Sequence, residues 1–266
     1  MSAPLDVLPP PPDFDFLRRI QPILLPAYQR YFRASIEGWE RLPPGPALLI
    51  GNHNGGFVMP EAPLTTLSYH QATGFQDPLC VLGHDLAFKL PGLRRFVRAC
   101  GTIPARSGPA ESALRAGRRV LVYPGGDHEV MRPSRDRDRI DFGGRTGFVR
   151  LALRTGVPLV PVVCAGAHDV WWCLARGGRI ARALRLDRSR LRIKAVPVAL
   201  SIPWGIAPGF LPFLPFPARI KLEVLPPLEL EGSPDDPAAI QRGYERATSA
   251  MQQALTRLAA DLPGRR

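Results

Sequence analysis

No uninterrupted apolar run in this chain reaches about 20 residues, the length a helix needs to cross a bilayer, so a membrane-spanning helix is not expected. Residues 1–13 are proline-rich and carry neither lysine nor arginine, so the basic-then-apolar opening of a secretory signal is missing. Cysteine is scarce. Cys80, Cys100, Cys164 and Cys173 lie far apart in apolar surroundings with no Cys-x-x-Cys pair, which reads as buried free thiols in a reducing compartment. Neither His-x-His nor His-Glu-x-x-His occurs, which argues against a metallohydrolase. The lack of Gly-x-Ser-x-Gly argues against a serine hydrolase. Zinc-finger spacing, an aromatic–glycine RNA-binding signature and a basic heptad region are also absent, so nucleic acid is not an expected partner. A cytoplasmic protein, peripheral to the inner face of the cell membrane, is what these absences leave.

Lysine is almost missing as well: Lys89, Lys194 and Lys221 are the only ones among 35 basic residues. Against 23 acidic residues the net charge is +12. Such an arginine-rich surface is drawn to polyanions, here anionic lipid headgroups or the phosphates of coenzyme A. Proline is abundant, at 31, yet it falls between strongly apolar runs in a chain that is 45% hydrophobic. That pattern fits a packed α/β chain rich in turns.

Along the chain, residues 1–13 read as a disordered leader. Residues 14–34 mix aromatic, aliphatic and arginine side chains, as an interfacial segment or a core-packed helix would, and Pro22 and Pro26 are expected to break or kink any helix there. Ala47–Ile50, Leu79–Leu82, Val120–Tyr123, Leu159–Cys164 and Arg219–Leu225 read as strands. Helices are expected from about Pro60, over 85–99 with an interruption at Pro91-Gly92, over Ala110–Ala116, and over Thr146–Thr155 with Gly156 as its stop. The apolar spacing from Ile240 to Leu262 marks an amphipathic helix that starts near Ser233–Asp236. Continuous apolar strands alternating with helices predict one α/β domain, a mixed and largely parallel sheet with helices on both faces. Over 195–217, prolines are dense enough that neither a helix nor a central strand is expected. The aromatic and aliphatic residues between Ile202 and Phe216 suit a bilayer boundary or the edge of a core.

Polar and glycine-rich residues collect just after the strands, where such sheets keep their sites. Gly51-Asn52-His53-Asn54-Gly55-Gly56 is the sharpest cluster, with Glu61 eight residues beyond the histidine. A neutral imidazole takes a proton near pH 7, and a carboxylate on its other nitrogen orients it and stabilises the imidazolium. Tyr123-Pro124-Gly125-Gly126-Asp127-His128-Glu129 lets backbone approach a ligand closely, and Gly101–Arg106 ends in an arginine suited to phosphate. His84-Asp85, His128-Glu129 and His168-Asp169 invite a metal reading, which the missing ligand spacings do not support.

In order, these blocks resemble the glycerolipid acyltransferase superfamily, and most closely its diacylglycerol- and monoacylglycerol-acyltransferase-like branch. Gly38–Pro43 followed by Ala47–His53 resembles that branch's approach to its catalytic histidine. Gly101–Arg106, Val120–Gly126 and Gly156–Val162 resemble the second, third and fourth blocks, and Arg145–Ala152 the helix before the fourth. The likeness covers roughly residues 36–230, which sets an N-terminal segment 1–35 apart from an acyltransferase domain 36–266. Two departures stand out. The superfamily's commonest signature has an aspartate at the position of Val58, whereas this chain carries its acid at Glu61. Gly125 and His128 replace the glutamate and arginine of the phosphate-acceptor enzymes, and the negative Asp127 would repel a phosphomonoester.

The resemblance implies acyl transfer from acyl-CoA, or from an acyl carrier protein, to a hydroxyl of a lipid acceptor, with a neutral acceptor favoured. Acylation of lysophosphatidate, or lipid binding without catalysis on the same fold, are the alternatives. His53 would be the general base and Glu61 its orienting acid. Asn52, Gly55, Gly56, Arg106, Gly125, Gly126, Glu129 and Arg145 would bind substrate, the glycine amides as oxyanion donors and the two arginines on phosphate. No metal or prosthetic group is implied. Acyl-CoA is a co-substrate, and an anionic membrane surface is an expected partner.

Overall fold

The computed structural model describes residues 8–178, 182 and 196–264. Its apolar runs form a seven-stranded sheet from β1 (Ser35–Glu37), β2 (Leu48–Gly51), β3 (Leu79–Gly83), β4 (Thr102–Pro104), β5 (Arg119–Val122), β6 (Leu159–Ala165) and β10 (Lys221–Val224). The spatial order is β1-β10-β6-β2-β5-β3-β4. β2 lies parallel to β5 and β6, and β10 runs antiparallel to β6, so the sheet is mixed and largely parallel.

Side chains alternate between the two faces, and each face buries its own set. Leu48, Ile50, Val120 and Val163 pack against α4 (Ser107–Arg115), α6 (Gly147–Thr155) and α7 (Pro237–Ala260). Leu49, Leu121, Val160 and Val162 pack against α1 (Phe14–Tyr31) and α2 (Glu61–Ala72). The expected single α/β domain with helices on both faces is what the chain forms. α1 contributes Leu17 and Leu25 to the same core as α2, while its Ile23 points to solvent.

Three expectations need correction. Pro22 and Pro26 do not break α1, which runs unbroken over 18 residues. They stand four apart on its exposed side, where water can bond the carbonyls left without a donor. Of the leader expected over residues 1–13, residues 1–7 lie outside the described residues, and residues 8–13 are not loose. Pro9 and Pro12 are buried, Arg118 donates to the Pro9 carbonyl, and Asp13 caps α1 through the Phe16 N–H at 2.9 Å. Finally, the proline-rich stretch does hold a central strand. β8 (Val198–Ser201) lies between β7 (Trp172–Ala175) and β9 (Gly205–Pro208) in a second, antiparallel sheet. β8 fits because Pro197 and Pro203 flank it without entering it, and Pro208 sits on the edge strand.

The cysteines are free; Cys80, Cys164 and Cys173 are buried and Cys100 half-buried. Burial pushes the thiols of Cys100 and Cys173 up to about 11, which keeps them protonated and unreactive. No helix among the described residues is long and apolar enough to cross a membrane.

Candidate active site

β2 ends at Gly51 and delivers Asn52 and His53 to the C-terminal edge of the sheet, between the ends of β5 and β6. Asn52 continues the strand with its side chain. Its Nδ2 donates to the Cys164 carbonyl and its Oδ1 accepts the Cys164 N–H, both at 2.8 Å. The substrate role expected for Asn52 therefore gives way to a structural one, since this fully buried amide holds the loop to β6.

His53 Nδ1 lies 2.6 Å from Glu61 Oε1, and the Asn54 N–H donates to the same oxygen at 2.9 Å. The carboxylate accepts, so Nδ1 carries the proton and Nε2 keeps its lone pair. Glu61 is the first residue of α2, where unpaired helix N–H groups favour a negative charge, and its side chain is wholly buried. The longer acid thus reaches the histidine directly. The Tyr123 ring stacks on the imidazole with centroids 4.6 Å apart, and Gly51 makes room for it, because a Cβ there would sit 2.4 Å from that ring.

A buried ion pair clamps the loop backbone. The His53 N–H donates to Glu129 Oε2 at 2.9 Å, and Arg132 Nη2 donates to the His53 carbonyl at 2.9 Å and to Asn54 Oδ1 at 2.6 Å. Arg132 Nη1 meets Glu129 Oε1 at 3.4 Å and also donates to the Arg139 carbonyl. Glu129 was expected to touch substrate; instead it is wholly buried and holds the backbone of the histidine. Burial pushes its carboxyl up to about 7, against the opposing pull of Arg132. His168 adds a further tie. It accepts the Gly55 N–H on Nδ1 at 3.4 Å and donates from Nε2 to the Arg132 carbonyl at 3.0 Å.

Two of the four expected oxyanion donors are engaged elsewhere. The Gly55 amide is taken by His168, and the Gly126 amide donates to the Tyr123 carbonyl at 3.1 Å. The glycines serve close packing instead: a Cβ on Gly55 would lie 2.8 Å from the Ala167 carbonyl oxygen, on Gly56 3.0 Å from the Trp171 ring, and on Gly125 2.2 Å from Glu129 Cγ. Arg145 binds the Gly125 carbonyl at 2.7 Å and Asp127 at 2.6 Å, so Asp127 is paired and does not present a bare negative charge. Arg106 pairs with Asp85 on the surface, beyond the end of β4, three strands or ~14 Å from β2.

The histidine–acid pairs do not converge. His128 accepts from Arg176 on Nδ1 and donates to Asp141 from Nε2, His168 is buried in the clamp, and Asp85 belongs to Arg106. Among the described residues no group of three or more His, Cys, Asp or Glu is placed to hold a metal ion. Sequence reasoning missed Arg132 and His168 as parts of the site. The one sequence signal for Arg132 is its place three residues after Glu129; only the fold brings either residue to β2.

An α/β domain with a histidine on the loop after a central parallel strand, held by a carboxylate at the start of the next helix, is the class of protein these features define. The family model for diacylglycerol acyltransferase matches residues 16–230, and the chain belongs to that family. An uncharacterized protein of Mycobacterium leprae is 29% identical over 253 residues, covering 93% of this chain and 65% of that protein. The chain thus spans about two thirds of the length of that relative. The human 2-acylglycerol O-acyltransferase 3 is 30% identical over 149 residues, or 53% of this chain and 43% of that enzyme. The crystal structure of a 1-acyl-sn-glycerophosphate acyltransferase from Thermotoga maritima aligns with a TM-score of 0.49 at 15% identity, covering 89% of this chain and 82% of that one.

Proposed function

We propose that this chain transfers a fatty acyl group from acyl-CoA to the hydroxyl of a neutral lipid, such as mono- or diacylglycerol, acting from the cytoplasmic face of the membrane. The observation that carries the reading is the His53–Glu61 contact at 2.6 Å, within a chain of the diacylglycerol acyltransferase family. Nε2 of His53 takes the hydroxyl proton as the acceptor oxygen attacks the thioester carbonyl. Glu61 stabilises the resulting imidazolium, which then protonates the leaving coenzyme A thiolate. The neutral acceptor is supported by the third block, where His128 stands in place of a phosphate-binding arginine and is already held by Asp141 and Arg176.

Purified protein incubated with labelled acyl-CoA and a panel of neutral and phosphorylated acceptors tests this. Acylated mono- or diacylglycerol is the expected product, and a higher kcat/KM on lysophosphatidate than on every neutral acceptor overturns the acceptor assignment. His53→Ala is expected to lower turnover ~100-fold or more and Glu61→Gln less, since glutamine keeps an acceptor for the ring N–H. Near-parent turnover in folded His53→Ala protein rules out the mechanism.

A further inference from the structure

The second sheet turns an apolar face outward. Cross-strand register sets Trp172 beside Leu200, Leu200 beside Ile206, and Val198 beside Pro208. The intervening Cys173 and Ala199 are buried on the domain core. An antiparallel sheet with one face in water carries polar side chains on that face. Here the outward residues of β7, β8 and β9 include no charged or polar side chain, and Trp172 is 54% and Ile206 70% exposed. Trp204 in the β8–β9 turn and Phe210 and Leu214 in the loop after β9 are exposed as well, whereas Phe213 turns inward and stacks on Trp171 at 5.7 Å.

Two further observations say what covers this face. The first is continuity with the candidate site: Trp171, the residue before β7, packs directly against Gly56 of the His53 loop. The second is charge. From Arg176 to Lys194, the connection between β7 and β8 carries eight basic residues and one acid, Asp187, a net +7 out of the chain's +12. A face that is apolar at its centre and joined to so basic a stretch complements an anionic lipid surface.

We propose that the outward face of the β7–β8–β9 sheet docks on an anionic bilayer, seating Trp172, Leu174 and Ile206 at the headgroup boundary beside the mouth of the His53 loop. This rests on the reading that the acceptor is a lipid. Docking delivers that lipid to the loop without passage through water.

Co-sedimentation of the full chain with vesicles of phosphatidylcholine and phosphatidylglycerol tests the proposal. Trp172→Ser/Ile206→Ser is expected to bind these vesicles ~10-fold or more weakly, with an unchanged thermal midpoint. The parent is expected to bind phosphatidylcholine-only vesicles ~10-fold more weakly than the mixed ones. His53→Ala is expected to bind as the parent does, so a failure of docking and a failure of acyl transfer are read separately. Parent-like binding by the double variant overturns the proposal. So does a lowered thermal midpoint, which assigns the face to a cover within the chain, or a dimer-to-monomer change with vesicle binding intact, which assigns it to a second copy.

Discussion

His53 divides its two ring nitrogens: Glu61 holds one, and no hydrogen bond among the described residues engages the other. What keeps this arrangement in place is the Glu129–Arg132 pair, whose charges are almost wholly removed from water. Arg132 donates to three acceptors besides Glu129: two carbonyls and the Asn54 side chain. Arg132→Met is therefore expected to cost about 3–5 kcal/mol in urea unfolding, because it strands the Glu129 carboxylate. Adding Glu129→Gln to it is expected to recover part of that loss. If the double variant is no more stable than Arg132→Met alone, the stranded charge is not the cause. The sequence made His53 and Glu61 legible, because a histidine and an acid near one another after a strand need only local geometry to meet. Glu129 drew attention for a different task, and Arg132 for none, since their roles come from a contact that spans 76 residues or more.

α2 carries the orienting acid at one end and a buried histidine at the other. His70 is wholly buried, neither ring nitrogen has a hydrogen-bond partner, and its neighbours are Phe14, Tyr69 and Phe75. Burial pulls its pKa down to about 4 from 6.5. The unfolded chain then binds the proton more tightly, so the stability His70 permits above pH 6.5 is lost as pH falls towards 4, on the order of 3 kcal/mol in all. Glu129, raised to about 7, works in the opposite direction between about 4.5 and 7, so the two must be separated by variants. His70→Leu is expected to remove the acid-side loss that His70 causes. Denaturant unfolding of parent and variant at pH 7 and pH 5 checks this, and equal differences at both pH values would falsify it. At the same scale, α1 and β8 show why proline density misleads. Its effect depends on which side of a helix, or which end of a strand, the ring occupies, and only packing decides that.

The molecule as a whole carries +12, more than half of it between Arg176 and Lys194. Raising salt from 0.1 M to 1 M shortens the screening length from about 10 Å to about 3 Å. Binding to anionic vesicles is accordingly expected to weaken as salt rises, with little change in the thermal midpoint; salt-independent co-sedimentation would leave the charge without a role in docking. The buried strands β2, β3, β5, β6 and β10, the helices between them and the alternation of polar loops with apolar runs were set by the sequence itself, because burial on both faces demands continuous apolar strands. His53 and Glu61 were set with them, by short-range spacing on one loop and the helix after it. Tertiary structure alone decided the buried clamp behind the histidine, the pairing of Asp127 with Arg145, and the exposure of apolar residues on the outward face of the second sheet. Each depends on side chains far apart in the chain, and one-dimensional spacing carries no information about which distant groups will share a buried site or be left facing out.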